Sequence, residues 1–213
     1  IAMTTDILHE QKILILDFGS QYTQNIARKV RESQVYCEIY SCTLPFDEIK
    51  AFNAKGIILS GGPASVQEED SPLCGRKLFE LGIPILGICY GMQLITHILG
   101  GKVTPSSHGE FGRAELVLKE FSHLFEEVKS NSIVWMSHGD RISKLPKGFK
   151  GIAFTDNSPM AAIEDPVAHI YGLQFHPEVV HTVEGTRVLN NFLFKICQCA
   201  KNWKMESLVE HMI

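Results

Sequence analysis

Residues 84–101 read PILGICYGMQLITHILGG, and the join inside this stretch decides the fold. A proline leads into a short apolar run, Ile85 to Ile88, which passes through Cys89 into residues with helical spacing. A run of that kind is the pattern of a strand buried on both faces, as in a parallel sheet. Free cysteine is ordinarily a small buried hydrophobe, so position must decide whether Cys89 is filler or nucleophile. A sharp strand-to-helix turn exposes its side chain at the sheet edge, and the flanking glycines, Gly87 and Gly91, allow strained dihedrals and close backbone approach. A helix N-terminus also favours an anion, which makes the thiolate the expected reactive form.

The same alternation extends toward the N-terminus. KILILDF (12–18) and GIILS (56–60) are further buried strands, and VYCEIY (35–40) alternates like a strand. Helices are expected over about 21–32, capped by Ser20 with Ile26 and Val30 on one face, over 45–53 behind Pro45, and near 73–81. Strands separated by helical segments of about ten residues point to right-handed βαβ units and a doubly wound, flavodoxin-like α/β sheet. Past Gly101 shorter β pieces (113–118, 133–137, 149–155, 159–164 and 169–175) predict a mixed or antiparallel extension of that sheet. A helix near 184–197 follows, with Val188, Leu189, Phe192 and Ile196 on one face.

Composition bounds the function. The chain has 213 residues, 45% hydrophobic and 21% charged, with a mean hydropathy of +0.03, as expected of an ordinary globular domain large enough for a real core. A net charge of −4 supplies no basic field for nucleic acid. No apolar stretch reaches the roughly 18 residues of a membrane span, and no leader pattern opens the chain. A cytoplasmic location, with neither a nucleic-acid nor a membrane partner, is therefore expected. The six cysteines are scattered, Cys197 and Cys199 forming a CxC unlike redox or zinc motifs, and reduced thiols are expected.

Three further stretches carry chemistry. SGGPASV (60–66) brings small residues with free backbone N–H groups to a strand end, which suits an oxyanion hole or anion nest as well as a plain tight turn. It lacks the lysine of a P-loop, and the DFG at 17–19 stands without the other kinase signatures. In YGLQFHPEVVH (171–181), alternate residues share a face, so His176 and Glu178 point together, the carboxylate orienting the imidazole so that its other nitrogen takes a thiol proton. A metal site from His176, Glu178 and His181 lacks the HExxH spacing, and none is expected. IVWMSHGDRI (133–142) reads as a short strand ending in Ser-His-Gly-Asp, whose polar groups can hold a small zwitterion. Ser137, His138 and Asp140 are sequence neighbours with diverging side chains, which excludes a serine–histidine–aspartate relay.

Together GICYGMQ, SGGPASV and QFHPE resemble the class I (triad) glutamine amidotransferase family over essentially residues 12–200. The tyrosine after the cysteine, with LDFGSQYTQ, WMSHGD and QFHPEVVHT, is most similar to the branch that supplies ammonia for ATP-dependent amination of XMP to GMP. The resemblance implies Cys89 as nucleophile, His176 as general base and acid, and Glu178 as its orienting carboxylate. It implies the N–H groups of Gly62 and Tyr90 as oxyanion hole, and Gln93, Ser137, His138 and Asp140 as holders of the amino-acid end of L-glutamine. A cofactor is implied only in a synthetase domain, in cis or in trans, where ATP and Mg act on XMP, and a homodimer is implied for the full-length enzyme. RESQVYCE lacks the glycine that family members often carry before the second strand.

The chain ends before any adenylating domain, and the SGGVDS loop of the synthetase partner is absent; a piece of a two-domain enzyme is the expectation, ahead of a separately encoded subunit. Residues 1–11 read as an N-terminal extension and 201–213 as the start of a linker. In the latter, Met205, Leu208, Val209 and Met212 fit either an amphipathic tail helix or a frayed end. Three other readings stay open: a glutaminase of another biosynthetic pathway, a different cysteine hydrolase of this fold, and a non-enzymatic binding module. Such glutaminases are also expected to be gated by their synthetase.

Overall fold

The computed structural model describes residues 11–203. In chain order they form β1 (Lys12–Asp17), α1 (Thr23–Glu32), β2 (Tyr36–Ser41), α2 (Phe46–Phe52), β3 (Gly56–Leu59), β4 (Ile85–Ile88) and α3 (Tyr90–Ile98). There follow β5 (Lys102–Leu118), β6 (Ser132–Lys144), β7 (Lys150–Phe154), β8 (Ala162–Asp165), β9 (Ile170–Leu173) and α4 (Gly185–Asn190). The nine strands make one sheet in the order β2-β1-β3-β4-β9-β8-β7-β5-β6. The five from β2 to β9 run parallel, and the remainder join antiparallel. The expected doubly wound sheet with a mixed extension is thus present.

Alternation of the apolar strands explains the layering. Ile13 and Ile15 of β1 pack with Ile58, Ile88, Ile26, Val30, Leu189 and Phe192 under α1 and α4. Leu14 and Leu16 pack on the opposite face with Ile57, Leu59, Leu94 and Ile95 beneath α2 and α3. Because both faces are covered, these strands read as continuous hydrophobic runs.

The second half departs from expectation in its lengths. The pieces at 113–118 and 133–137 belong to a long hairpin, in which β5 pairs with β6 from Lys102–Lys144 to Leu116–Ser132, interrupted by a shift between Pro105 and Glu110. Only Val117 and Leu118 also pair with β7, so the rest of the ribbon is free to curl back over the parallel strands. Ser137 to Asp140 therefore lie inside β6 and not at a strand terminus. The helix expected at 73–81 is a 3-10 segment, Arg76–Glu80, that buries only Leu78. The helix expected at 184–197 is α4 continued by a π-helical turn, Asn191–Ile196, where the Asn191 amide donates to the carbonyls of Leu124 and Glu126. Helix α1 starts behind Tyr22 without a side-chain cap; Ser20 instead accepts the Tyr22 N–H in the turn before it.

At the C-terminal end Trp203 is buried and donates its N–H to Gln34 O at 3.0 Å. The amphipathic pattern at Met205, Leu208, Val209 and Met212 lies outside the described residues, as do residues 1–10 of the N-terminal extension.

Candidate active site

The parallel strands all end at one edge of the sheet, and the loops leaving β1, β3, β4 and β9 meet there. Cys89, between β4 and α3, has φ 52° and ψ −107°, a strained backbone for a residue with a Cβ. It is pinned by a 2.6 Å hydrogen bond from its own N–H to Leu173 O on β9. The flanking glycines serve close approach and not the strained dihedral. A Cβ on Gly91 would lie 2.5 Å from Leu59 O, and one on Gly87 2.6 Å from the Gly91 carbonyl carbon. Cys89 is 4% exposed, and its thiol donates to Ser137 O at 3.5 Å.

His176 and Glu178 follow β9 with both side chains on one side, as alternation predicts. His176 Nδ1 lies 2.7 Å from Glu178 Oε1, and both residues are buried. The ring reaches the cysteine: a Cβ placed on Gly61 would be 3.0 Å from His176 Cε1 and 3.5 Å from Cys89 Cβ, so Gly61 is the gap that lets the two converge. Burial opposes charge on the ring, but Cys89 and Glu178 outweigh it and raise His176 to about 10. Its backbone is held by His176 N–H to Trp135 O at 3.0 Å and by the Thr182 hydroxyl donating to His176 O at 2.6 Å. Tyr22 meets the imidazole edge-on with centroids 5.3 Å apart. His181, the third residue of the metal alternative, packs on Trp135 instead, with ring centroids 4.6 Å apart.

The SGGPASV loop leaves β3 beside the elbow. Ser60 is fully buried, accepts the Phe18 N–H at 2.8 Å and donates to Gly61 O at 2.8 Å, which ties the loops after β1 and β3 together. Gly62 passes so close to Phe18 that a Cβ there would lie 2.4 Å from Phe18 O. Tyr90 opens α3, where the first N–H groups have no partner within the helix. Its side chain is buried and donates to Pro72 O at 2.5 Å; burial is the chief cause of its raised phenol pKa.

A cleft of about 360 Å³ opens in front of the sulfur. Gly62, Tyr90, Gln93, Ser137, His138 and Asp140 line it together with Cys89, so every predicted site residue except His176 and Glu178 borders this space. The Asp140 carboxylate accepts from Ser65 of the β3 loop. Gln93 Nε2 donates to Asp140 O at 3.2 Å. His138 is engaged inward: Nδ1 faces Asp140 O at 2.7 Å and Nε2 faces Glu110 Oε2 at 3.0 Å.

Residues beyond the sequence expectations complete the site. Glu110 also accepts from Thr155 at 2.7 Å and Ser158 at 2.5 Å, and these bonds, with His138, hold its carboxyl below the ordinary range against the opposing cost of burial. Gln174 is buried with Nε2 3.7 Å from Cys89 Sγ. Its signal was available, since it shares the alternation of His176 and Glu178; the Glu110 cluster, spread over 48 positions, left no local one.

The arrangement is that of a buried cysteine–histidine–carboxylate hydrolase with a small polar cleft, and comparison with known proteins agrees. The family model for glutamine amidotransferase class-I matches residues 14–196, and the chain belongs to that family. It is 52% identical over 206 residues to the GMP synthase [glutamine-hydrolyzing] of Acetivibrio thermocellus, covering 97% of this chain and 40% of that one. With the protein of the same description from Brachyspira hyodysenteriae it shares 53% identity over 202 residues, 95% of this chain and 39% of the relative. The chain thus spans about 40% of the length of these curated relatives. Among solved structures, a GMP synthase subunit from Thermoplasma acidophilum superposes with a TM-score of 0.80 at 31% identity, covering 96% of this chain and 98% of that one. A glutamine amidotransferase of Thermotoga maritima, 21% identical with a TM-score of 0.65 and covering 96% of this chain and 86% of that one, shares the fold. Among the described residues no helix is long and apolar enough to cross a membrane.

Proposed function

We propose that this chain is the glutamine-hydrolysing part of a GMP synthase, releasing ammonia from L-glutamine for a synthetase part that aminates XMP at the expense of ATP. The observation that carries the reading is the convergence of Cys89, which lines the cleft, and the His176–Glu178 pair on Gly61. Relatives near 50% identity described as glutamine-hydrolysing GMP synthases support the choice of pathway.

In this scheme the Cys89 sulfur attacks the γ-amide carbon of glutamine while its proton goes to His176 Nε2, the ring nitrogen not held by Glu178. Charge on the amide oxygen is met by the N–H groups of Gly62 and Tyr90. Collapse breaks the C–N bond, His176 returns its proton to the departing nitrogen as ammonia, and a γ-glutamyl thioester remains. Water then attacks the thioester with His176 as base, the C–S bond breaks, His176 returns the proton to sulfur, and glutamate leaves with the thiol regenerated. A cleft of about 360 Å³ suits an amino acid. Gln93, Asp140 and the backbone of Ser137–Gly139 meet its zwitterionic end. ATP, Mg and XMP belong to the synthetase part. Six free cysteines fit the reducing cytoplasm.

The test is glutamate release by Cys89→Ala joined to its synthetase part, with XMP and ATP present. Release should disappear while added ammonia still supports GMP formation. Glutamate release at the wild-type rate would overturn the reading.

A further inference from the structure

One buried amide in the site has no part in this scheme. Gln174 is 1% exposed and fixed by its backbone N–H donating to Ala161 O at 2.8 Å. Its side chain turns toward the elbow, with Nε2 3.7 Å from Cys89 Sγ and Oε1 3.3 Å from Gln93 Nε2. The polarity of both amides follows from the far end of this chain of bonds. The Asp140 carbonyl can only accept, so the Gln93 atom 3.2 Å from it is nitrogen. The second hydrogen of that nitrogen meets Gln174 Oε1, which leaves Gln174 Nε2 facing the sulfur.

We propose that Gln174 is a further catalytic residue: its side-chain N–H donates to the Cys89 sulfur and stabilises the thiolate, in an orientation set by Gln93. The proposal rests on the glutaminase reading for the reaction served, while its central claim concerns only the sulfur. The resting thiol donates to Ser137 O at 3.5 Å. Once the proton has passed from Sγ to His176 Nε2, that carbonyl faces an anion and opposes it. The charge balance is unchanged, thiolate and imidazolium replacing two neutral groups, but the buried sulfur needs donors. His176 supplies one. Gln174 supplies another that cannot take the proton itself and therefore donates at every pH.

The same bonds reach the substrate. Gln93 lines the cleft, and its Oε1 has no partner among the described residues. An ammonium bound there polarises the Gln93 amide, strengthens its donation to Gln174 and, through Gln174, the donation to sulfur. Occupancy of the amino-acid end is thereby linked to the reactivity of the nucleophile.

The experiment is the pH profile of Cys89 alkylation by the neutral reagent iodoacetamide in the full-length protein. The Cys89 peptide is followed by mass spectrometry, so that the other cysteines do not contribute. In Gln174→Leu and in Gln174→Met, which keeps an unbranched chain in the same space, the midpoint should rise by about one pH unit. Alkylation on the acid limb should be about tenfold slower, with the alkaline plateau unchanged. Gln93→Leu, which frees the Gln174 amide to turn, should move the midpoint the same way and decides the matter should neither Gln174 variant fold. Profiles that superimpose on wild type would overturn the proposal. A shifted profile in a protein whose wild type never hydrolyses glutamine would sink the glutaminase reading and leave the role of Gln174 standing.

Discussion

Gly62→Ala is aimed at the oxyanion contact proposed for the Gly62 N–H. The new Cβ would lie 2.4 Å from Phe18 O and 3.3 Å from Phe18 C, whereas ordinary contact begins at 3.4 Å. The obstacle is backbone and cannot rotate away, so the β3 loop must withdraw by about 1 Å. Oxyanion donors act at about 2.7–3.1 Å from the charged oxygen, and a displacement of that size costs on the order of 100-fold in rate, or about 3 kcal/mol of transition-state stabilisation. The loss should fall on kcat, with KM changed by less than about threefold, because the contact strengthens only as charge develops. Steady-state glutamate release in the presence of the synthetase part, XMP and ATP measures both constants. Alkylation of Cys89 by a neutral electrophile, which needs no oxyanion hole, should keep its wild-type rate. Gly75→Ala, where an added Cβ meets nothing within 4 Å, should leave kcat unchanged. A kcat for Gly62→Ala within twofold of wild type would refute the assignment, as would a parallel collapse of alkylation, which would point to a distorted elbow.

Other perturbations test other links. His176 is raised to about 10, above the ordinary value of about 6.5 for a free imidazole. The favourable pairing is therefore complete below pH ~6.5 and lost as pH rises through about 10, and the alkaline limb of the rate profile should fall there because the one proton that Cys89 and His176 share, and that His176 must hand to the leaving nitrogen, is then gone. Glu178→Gln should lower kcat by about 10²–10⁴-fold and move that limb toward neutrality; a limb that stays put would exclude Glu178 as its cause. Gly91→Ala drives a Cβ to 2.5 Å from Leu59 O and 2.9 Å from Leu59 Cβ, prying α3 from β3. Urea denaturation should show a loss of about 1–3 kcal/mol. Glu110→Leu strands the hydroxyl donors of Thr155 and Ser158 and removes the partner of His138 Nε2, and a thermal melt should report a loss of at least about 2 kcal/mol, whereas Glu110→Gln, which still accepts, should lose less.

What could be read from the sequence depended on how each segment is buried. β1, β3 and β4 are covered on both faces and announce themselves as apolar runs, and with them came the sheet type and the place of Cys89. The first half of β5 has no readable alternation, because in KVTPSSHGEF only Val103 and Glu110 are buried and the rest is exposed or partly covered, and proline, serine and glycine read as loop. Mistaking that half for a connection made β6 look short, so Ser-His-Gly-Asp seemed a strand end when it is strand interior. The 3-10 segment at Arg76–Glu80 was overread for a related reason, since a few apolar residues at helical spacing cannot fix a full helix when only one of them is buried. The triad and the glycine loop were legible because each sits in one short stretch. His138 illustrates the limit: residue type and position put it at the cleft, which it lines, but its ring nitrogens face Glu110 and the Asp140 carbonyl, partners that no local spacing reveals.

The division of the sheet into parallel and antiparallel halves also divides the labour of the site. β1, β3, β4 and β9 run in one direction, so their carboxyl ends deliver Phe18, Gly62, Cys89 and His176 to one edge, and hydrogen bonds between adjacent loops set their spacing. The cleft wall comes from elsewhere. β6 lies at the far end of the sheet order, yet Ser137 O reaches the Cys89 thiol and Trp135 O holds the His176 N–H. That return is possible because β5 pairs with β7 through only two residues and its ribbon is free to fold over the edge. Two amides bridge the halves: Gln93 from α3 joins Asp140 on β6 to Gln174 after β9, and Gln174 meets the sulfur. A change in where β6 sits must therefore register at the nucleophile through those side chains, even though β6 itself contributes no group to the proposed bond-breaking steps. Recognition carried by a curled ribbon can in this way be coupled to chemistry carried by a rigid parallel edge.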